Sequence, residues 1–168
     1  MVKMATISIL LILFCLDVGY AGEKPTSAEI CQYWMSIVDP SIQRPDLHLS
    51  WQDEGNILFA IECLFELKGR TGPANFSGAT HPAVSDIFDH ATVEVAALYF
   101  MTYLYYQTPD YVNAVVLVDK NNEFSTEAAI EKAYDLYRKW YQEIEKLGIS
   151  KAREQGLDPL QDSDVRWY

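Results

Sequence analysis

The sequence is poor in the residues that most often build reactive or metal-binding sites. It has 3 cysteines and 3 histidines, and it contains no C-x-x-C pair, no H-E-x-x-H motif and no G-x-S-x-G elbow. These absences remove the usual signatures of a dithiol redox protein, a zinc protease and a serine hydrolase. No recognised catalytic motif is left, and we expect no cofactor.

Basic residues are also scarce. The chain carries 13 lysines and arginines against 24 aspartates and glutamates, which gives a formal net charge of −11. Such a surface repels phosphate backbones and anionic lipid, so the charge argues against nucleic-acid binding. It favours a basic protein partner, or it serves solubility alone.

Long hydrophobic runs are missing too. The apolar run from Ala5 to Leu16 has about 12 residues, fewer than the roughly 20 that span a bilayer. Lys3 precedes this run and the small residues around Ala21 follow it, which is the pattern of a secretory signal peptide over residues 1–21. We therefore expect a periplasmic or extracellular protein with no stable membrane insertion after signal cleavage.

Residues 22–168 are enough for one domain with its own core. Cleavage after Ala21 would remove Cys15 and leave Cys31 and Cys63, an even pair in an oxidising compartment. The sequence therefore predicts a Cys31–Cys63 disulfide. Closing a loop of about 32 residues would stabilise the fold by about 3–4 kcal/mol in the chain-entropy model.

Helical patterns dominate the mature chain. Thr26 and Glu29 have the spacing of a capping box, and Ser125 stands where it could cap the last long helix. Between them, the run VAALYFMTYLYY is apolar or aromatic at every position except Thr102, which predicts a central buried helix. The predicted fold is an all-α, single-domain bundle of about five or six helices with room for one minor β pair, clipped by one disulfide and followed by a C-terminal extended tail that packs on the body.

Two segments do not fit helical patterns clearly. The stretch GRTGPANFSGATHP has too many glycines and prolines for regular structure, and its Asn75 begins an N-glycosylation sequon. Residues 111–118 are rich in valine, so both a strand and a short helix fit them. Since no partner strand is evident, the helix is favoured there.

One group of residues could form a metal or acid/base site. Asp86, His90 and Glu94 are spaced four apart, so on one helix they would form a single stripe, and His81 could add a fourth ligand. This group supports the alternative of a metal-dependent hydrolase or a metal-binding protein, with a divalent metal as its cofactor. The competing interpretation is that Asp86 and Asp89 cap helix N-termini.

Aromatic residues suggest a different kind of site. They make up 13% of the chain, with 11 tyrosines, and tyrosine and tryptophan dominate the energetics of protein interfaces. The clusters YLYYQTPDYV and VRWY could form a recognition surface. Its candidate residues are Tyr105, Tyr106, Tyr111, Trp167 and Tyr168.

These observations favour an exported acidic helical protein that acts as a protein-binding module, such as an inhibitor or immunity-type protein for a basic exported enzyme. In size and layout it resembles periplasmic immunity proteins, although no motif is shared. Besides the metal-dependent alternative, the same composition fits a structural envelope component without catalytic activity.

Overall fold

Helices make up most of the described chain, as the sequence predicts. The computed structural model describes residues 25–49, 53–77, 90–107 and 114–168. The predicted signal peptide, His81, Asp86 and Tyr111 lie outside these ranges. The described helices are α1 (Ser27–Val38), α2 (Glu54–Leu64), α3 (Val93–Tyr106), α4 (Glu127–Leu147) and α5 (Ile149–Glu154), and the described strands are β1 (Pro73–Ser77), β2 (His90–Thr92), β3 (Leu117–Val118) and β4 (Arg166–Trp167).

The start of α1 has the predicted capping box. The Thr26 hydroxyl accepts a hydrogen bond from the Glu29 N–H at 3.3 Å, and the Glu29 carboxylate accepts one from the Thr26 N–H at 2.8 Å. The predicted disulfide is also present, joining Cys31 of α1 to Cys63 of α2 with their Cα atoms 5.3 Å apart. The two N-terminal helices are therefore tied together covalently.

The apolar run forms the central helix α3, as predicted. Twelve of its fourteen residues are buried, so it has no wide solvent face. It packs against α1, α2 and α4. Thr102, its polar exception, donates its hydroxyl proton to the Leu98 carbonyl at 3.1 Å and is fully buried.

The α4 helix packs one face on this core. Its N-cap lies one residue after the predicted one. Thr126 is the N-cap, and its hydroxyl accepts a hydrogen bond from the Ala129 N–H at 3.2 Å. Ser125 instead has a positive φ of 43° and its hydroxyl accepts a hydrogen bond from the Leu117 N–H at 3.2 Å. The serine is used by the neighbouring strand, which leaves the threonine to cap the helix.

Two antiparallel strand pairs correct the assignment of both uncertain segments. Pro73–Ser77 is strand β1 in the stretch that the sequence predicts to be irregular, and it pairs with β2 through Pro73 and Thr92. The favoured helix at 111–118 is wrong at Leu117 and Val118, which form β3. Their partner is β4 in the C-terminal tail, some fifty residues away, so local patterns could not reveal the pairing. None of the described helices is long and apolar enough to cross a membrane.

Candidate functional site

The predicted metal-binding stripe is not a stripe on one helix. His90 begins strand β2, and α3 starts three residues later at Val93 with Thr92 as its N-cap. His90 and Glu94 therefore belong to different elements, and the i, i+4 argument that joined them fails. His81 and Asp86 lie outside the described residues.

Glu94 has a structural role in the described part of the chain. It is 8% exposed, and its carboxylate accepts a hydrogen bond from the Gly69 N–H at 2.9 Å. Gly69 has a φ of 80°, so this bond fixes the left-handed turn after α2. The Tyr134 hydroxyl donates to the Glu94 carbonyl at 2.9 Å. The pKa of Tyr134 is raised, mainly by burial and to a lesser degree by the negative charge of Glu94. Within the described ranges, no three histidine, cysteine or acidic side chains are grouped to hold a metal ion.

The predicted aromatic surface divides into buried and accessible members. Tyr105 is fully buried, so its assignment to an interface is wrong. It lies on the all-round buried helix α3 and packs edge-on against Trp140, with ring centroids 4.9 Å apart. Tyr106 is partly buried, and its hydroxyl donates to the Asp158 carboxylate at 2.9 Å. Tyr111 lies outside the described residues.

Trp167 anchors the C-terminal tail through a chain of hydrogen bonds into the core. Its indole N–H donates to the Tyr137 hydroxyl at 3.1 Å, and that hydroxyl lies 2.5 Å from the Thr102 hydroxyl. Since the Thr102 proton goes to Leu98, the Tyr137 proton must go to Thr102. The Thr102 and Tyr137 hydroxyls therefore each donate one hydrogen bond and accept one. Burial raises the pKa of Tyr137 far above its usual value, so it stays neutral.

The anchored tail forms a small sheet with β3. Leu117 pairs with Trp167 and Val118 pairs with Arg166. One step further, the Tyr168 N–H donates to the Val116 carbonyl at 3.1 Å. The tail is therefore fixed by its backbone as well as by the Trp167 indole.

Two aromatic rings stand on the outer side of this sheet. Phe124 is 50% exposed and Tyr168 is 38% exposed, and they are the exposed large hydrophobic side chains of the described chain. Their centroids are 5.9 Å apart in an edge-to-face arrangement. Phe124 is held beside β3 by a bridge to Val118. We call β3, β4, Phe124 and Tyr168 the aromatic platform.

The platform carries charges of both signs. Arg166 of β4 is exposed and donates to the Asn122 side-chain oxygen at 3.0 Å, while acidic residues flank Phe124. Glu123 and Glu127 are exposed, and neither forms an ion pair with a described residue. By contrast, the Asp119 carboxylate is occupied, because it accepts hydrogen bonds from the N–H groups of Asn121 and Glu123 at 2.8 and 2.9 Å. The platform therefore combines an apolar pair with the exposed Arg166 and, beside Phe124, with two carboxylates that form no ion pair in the described chain.

The sequence predicted part of this platform and missed its centre. Trp167 and Tyr168 are predicted interface residues because they belong to the aromatic cluster VRWY. Phe124 was missed, although one signal was available: it is a large apolar residue directly after the turn residues Asn121 and Asn122, outside any helical stripe. An apolar side chain there has no helix face on which to be buried.

Comparison with known protein families, with curated proteins and with solved structures gives no match.

Proposed function

We propose that the protein is an exported protein-binding module whose contact surface is the aromatic platform. The observation that carries this proposal is the exposed Phe124–Tyr168 pair on an otherwise well-buried fold. Water contact at two large rings is unfavourable, and a partner that covers them recovers free energy of about 25 cal/mol per Å² of apolar surface. Aromatic residues are also the commonest anchors of protein interfaces.

The anchoring of the platform supports this function. Association is weakened when side chains or loops must be ordered on binding. Here the Trp167 indole and the Tyr168 N–H already hold the tail against the body through hydrogen bonds of 3.1 Å each. The rings are therefore presented on a fixed backbone, and less conformational entropy is lost when a partner docks.

The charge supports a basic partner. The net charge of −11 attracts a cationic protein at long range, and Glu123 and Glu127 can pair with its lysines or arginines beside the rings. An inhibitor or immunity-type protein for a basic exported enzyme fits these demands. Export itself is supported by the signal-like N-terminal residues and by the Cys31–Cys63 disulfide, which persists in oxidising compartments.

The test is a capture experiment with matched variants. Tagged, oxidised protein comprising residues 22–168 is incubated with extract from its native envelope or medium, and retained proteins are identified by mass spectrometry. We expect the protein to retain a basic partner in stoichiometric amount, and we expect salt to elute this partner. The F124S/Y168S variant should not retain it. The control variant Y141S changes a partly buried tyrosine that packs on Phe65 instead, with centroids 5.8 Å apart, and should retain the partner.

A second pair of variants tests the electrostatic part. E123Q/E127Q and E62Q/E66Q each remove two exposed carboxylates and change the net charge equally. If the acids beside Phe124 pair with the partner, only E123Q/E127Q weakens retention strongly. Equal weakening by both variants would assign the effect to net charge alone. Failure to capture any partner in repeated trials would overturn the proposal.

A further inference from the structure

A pocket of about 330 Å³ opens where the end of α1, the segment before β1 and the start of α3 meet. Pro40, Pro73 and Val93 form its apolar walls, and Asp39, Ser41 and Arg70 supply its polar groups. Pockets of this size and mixed lining are typical of small-molecule sites. The pocket shares no residue with the aromatic platform.

Backbone hydrogen bonds preform this pocket. The Glu94 N–H donates to the Arg70 carbonyl at 3.0 Å, and the Val93 N–H donates to the Gly72 carbonyl at 2.9 Å. These bonds satisfy two of the free N–H groups at the start of α3 and hold residues 70–73 against the helix. The Arg70 side chain therefore starts from a fixed backbone.

Asp39 positions the Arg70 side chain from inside the protein. The Asp39 side chain is 4% exposed, and its carboxylate accepts hydrogen bonds from Arg70 Nη1 at 2.7 Å and from the N–H and hydroxyl of Ser41 at 2.8 and 2.7 Å. These three donors satisfy the carboxylate, so it is not free to bind a cation. Its remaining effect is to orient the guanidinium.

Arg70 has binding capacity left over. A guanidinium has five N–H donors in a planar fork. Within the described chain Arg70 uses only Nη1, on Asp39 and, at 3.5 Å, on the Ser41 hydroxyl. The edge formed by Nε and Nη2 matches the two oxygens of a carboxylate. The Arg70 side chain is 47% exposed and lines the pocket.

We propose that this pocket binds a small monocarboxylate with an apolar body. The ligand carboxylate pairs with the Nε and Nη2 edge of Arg70, and its hydrocarbon part covers Pro40, Pro73 and Val93. A single negative charge is favoured over a phosphate dianion, because Asp39 already neutralises Arg70 and the chain carries a net charge of −11. The apolar walls favour a branched or aromatic body over a hydroxylated one.

The test is a titration of the oxidised protein with isovalerate, followed through the Val93 methyl signals by NMR. We expect a saturable shift with isovalerate and none with isovaleramide, which has the same shape without the charge. R70Q should weaken isovalerate binding by about tenfold or more, the effect of losing a charged hydrogen-bonding partner.

R44Q is the matched control, since the Arg44 guanidinium lies over the Tyr33 ring at 4.7 Å and donates to its hydroxyl instead. It should bind isovalerate like the parent protein. Because R70Q leaves the Asp39 charge without its partner, D39N/R70Q is a second variant that removes both charges and should also fail to bind. The proposal is overturned if isovalerate gives no saturable shift up to millimolar concentrations, if isovaleramide binds equally, or if R44Q weakens binding as much as R70Q does.

Discussion

Helix α3 and the aromatic platform are both rich in aromatic residues, and they place them in opposite surroundings. Tyr105 of α3 is fully buried, while Tyr168 of the platform is 38% exposed. The tail that carries Tyr168 is nevertheless hydrogen-bonded to the core, because the Trp167 indole donates to the Tyr137 hydroxyl, which in turn bonds to Thr102. Aromatic content alone therefore does not indicate a binding surface. The informative combination is an exposed ring on a backbone that the core fixes.

The largest expected change in stability comes from truncating Tyr105, and truncation of Tyr168 is its matched comparison. Y105A should lower the free energy of unfolding by about 3–5 kcal/mol, because it opens a cavity beside Trp140. Y168A should cost less than about 1 kcal/mol, since its ring is partly solvated and its N–H bond to Val116 remains. Urea unfolding measures both. Similar losses would show that the platform ring is part of the core.

Removing the disulfide should separate stability from binding. The C31S/C63S variant should lose about 3–4 kcal/mol, the value for a loop of this length in the chain-entropy model. The bond joins α1 to α2 and does not touch the platform, so partner capture should persist wherever circular dichroism shows a folded variant. Loss of capture by a folded variant would contradict an independent platform.

The buried hydroxyls of Tyr137 and Tyr105 allow the same comparison through the removal of a single oxygen atom. Y137F removes the acceptor of the Trp167 indole and should cost about 1–2 kcal/mol, with faster amide exchange at Tyr168 as the tail loosens. The Tyr105 hydroxyl is buried with no hydrogen-bond partner in the described chain. Y105F should therefore leave the unfolding free energy unchanged or raise it by about 1 kcal/mol. A larger loss in Y105F than in Y137F would reverse this assignment.

The sequence could predict the parts of this fold that depend on local pattern. The capping box at Thr26 needs only two residues three apart, and α3 is evident because no face of it is polar. The disulfide followed from counting cysteines. The sequence leaves room for one β pair but does not locate it. β3 and β4 have two residues each, too few for a periodicity, and their pairing joins Leu117 to Trp167, while β1 lies in a stretch whose glycines and prolines predict irregular structure.

The candidate site was less predictable for a related reason. The assignment of Tyr105 to an interface conflicted with the prediction that its helix is buried all round, and the helix pattern was the stronger signal. Phe124 becomes exposed only because β3 and the turn hold it outside, which is a tertiary effect. The docking of Trp167 needed the position of Tyr137, which no linear pattern supplies.

Two of the ion pairs, Asp39–Arg70 and Lys132–Asp164, give a smaller and pH-dependent contrast. Burial raises the pKa of Asp39, but the Ser41 hydrogen bonds and Arg70 outweigh it, so the net pKa lies below its usual value. The hydrogen bond from Lys132 likewise lowers the pKa of the exposed Asp164. A lowered folded-state pKa contributes stability above the unfolded pKa of about 3.9, and that stability is lost as the pH falls through the folded pKa.

D39N should therefore cost about 1–2 kcal/mol at pH 7 and flatten the fall in stability below about pH 4. D164N should change neither measurably, because solvent screens a pair whose side chains are 48% and 44% exposed. Urea unfolding across pH 2–7 tests both variants. An unaltered acid profile in D39N would exclude Asp39 as a source of acid sensitivity.

The last contrast concerns Asn75, whose side chain is exposed like that of Phe124 but forms hydrogen bonds within the fold. Its amide nitrogen donates to the carbonyls of Ser36 and Ile37 at 3.1 and 3.0 Å, two acceptors at the end of α1 that have no helical N–H partner. N75A should cost about 1 kcal/mol and leave partner capture intact, whereas F124S should abolish capture and cost no more than about 1 kcal/mol, through loss of the edge-to-face contact with Tyr168. Because both side chains are exposed, only their contacts distinguish them. A capture-defective N75A would mean that exposure alone decides which residues bind. A loss of several kcal/mol in F124S would mean that Phe124 belongs to the fold and not to a binding surface.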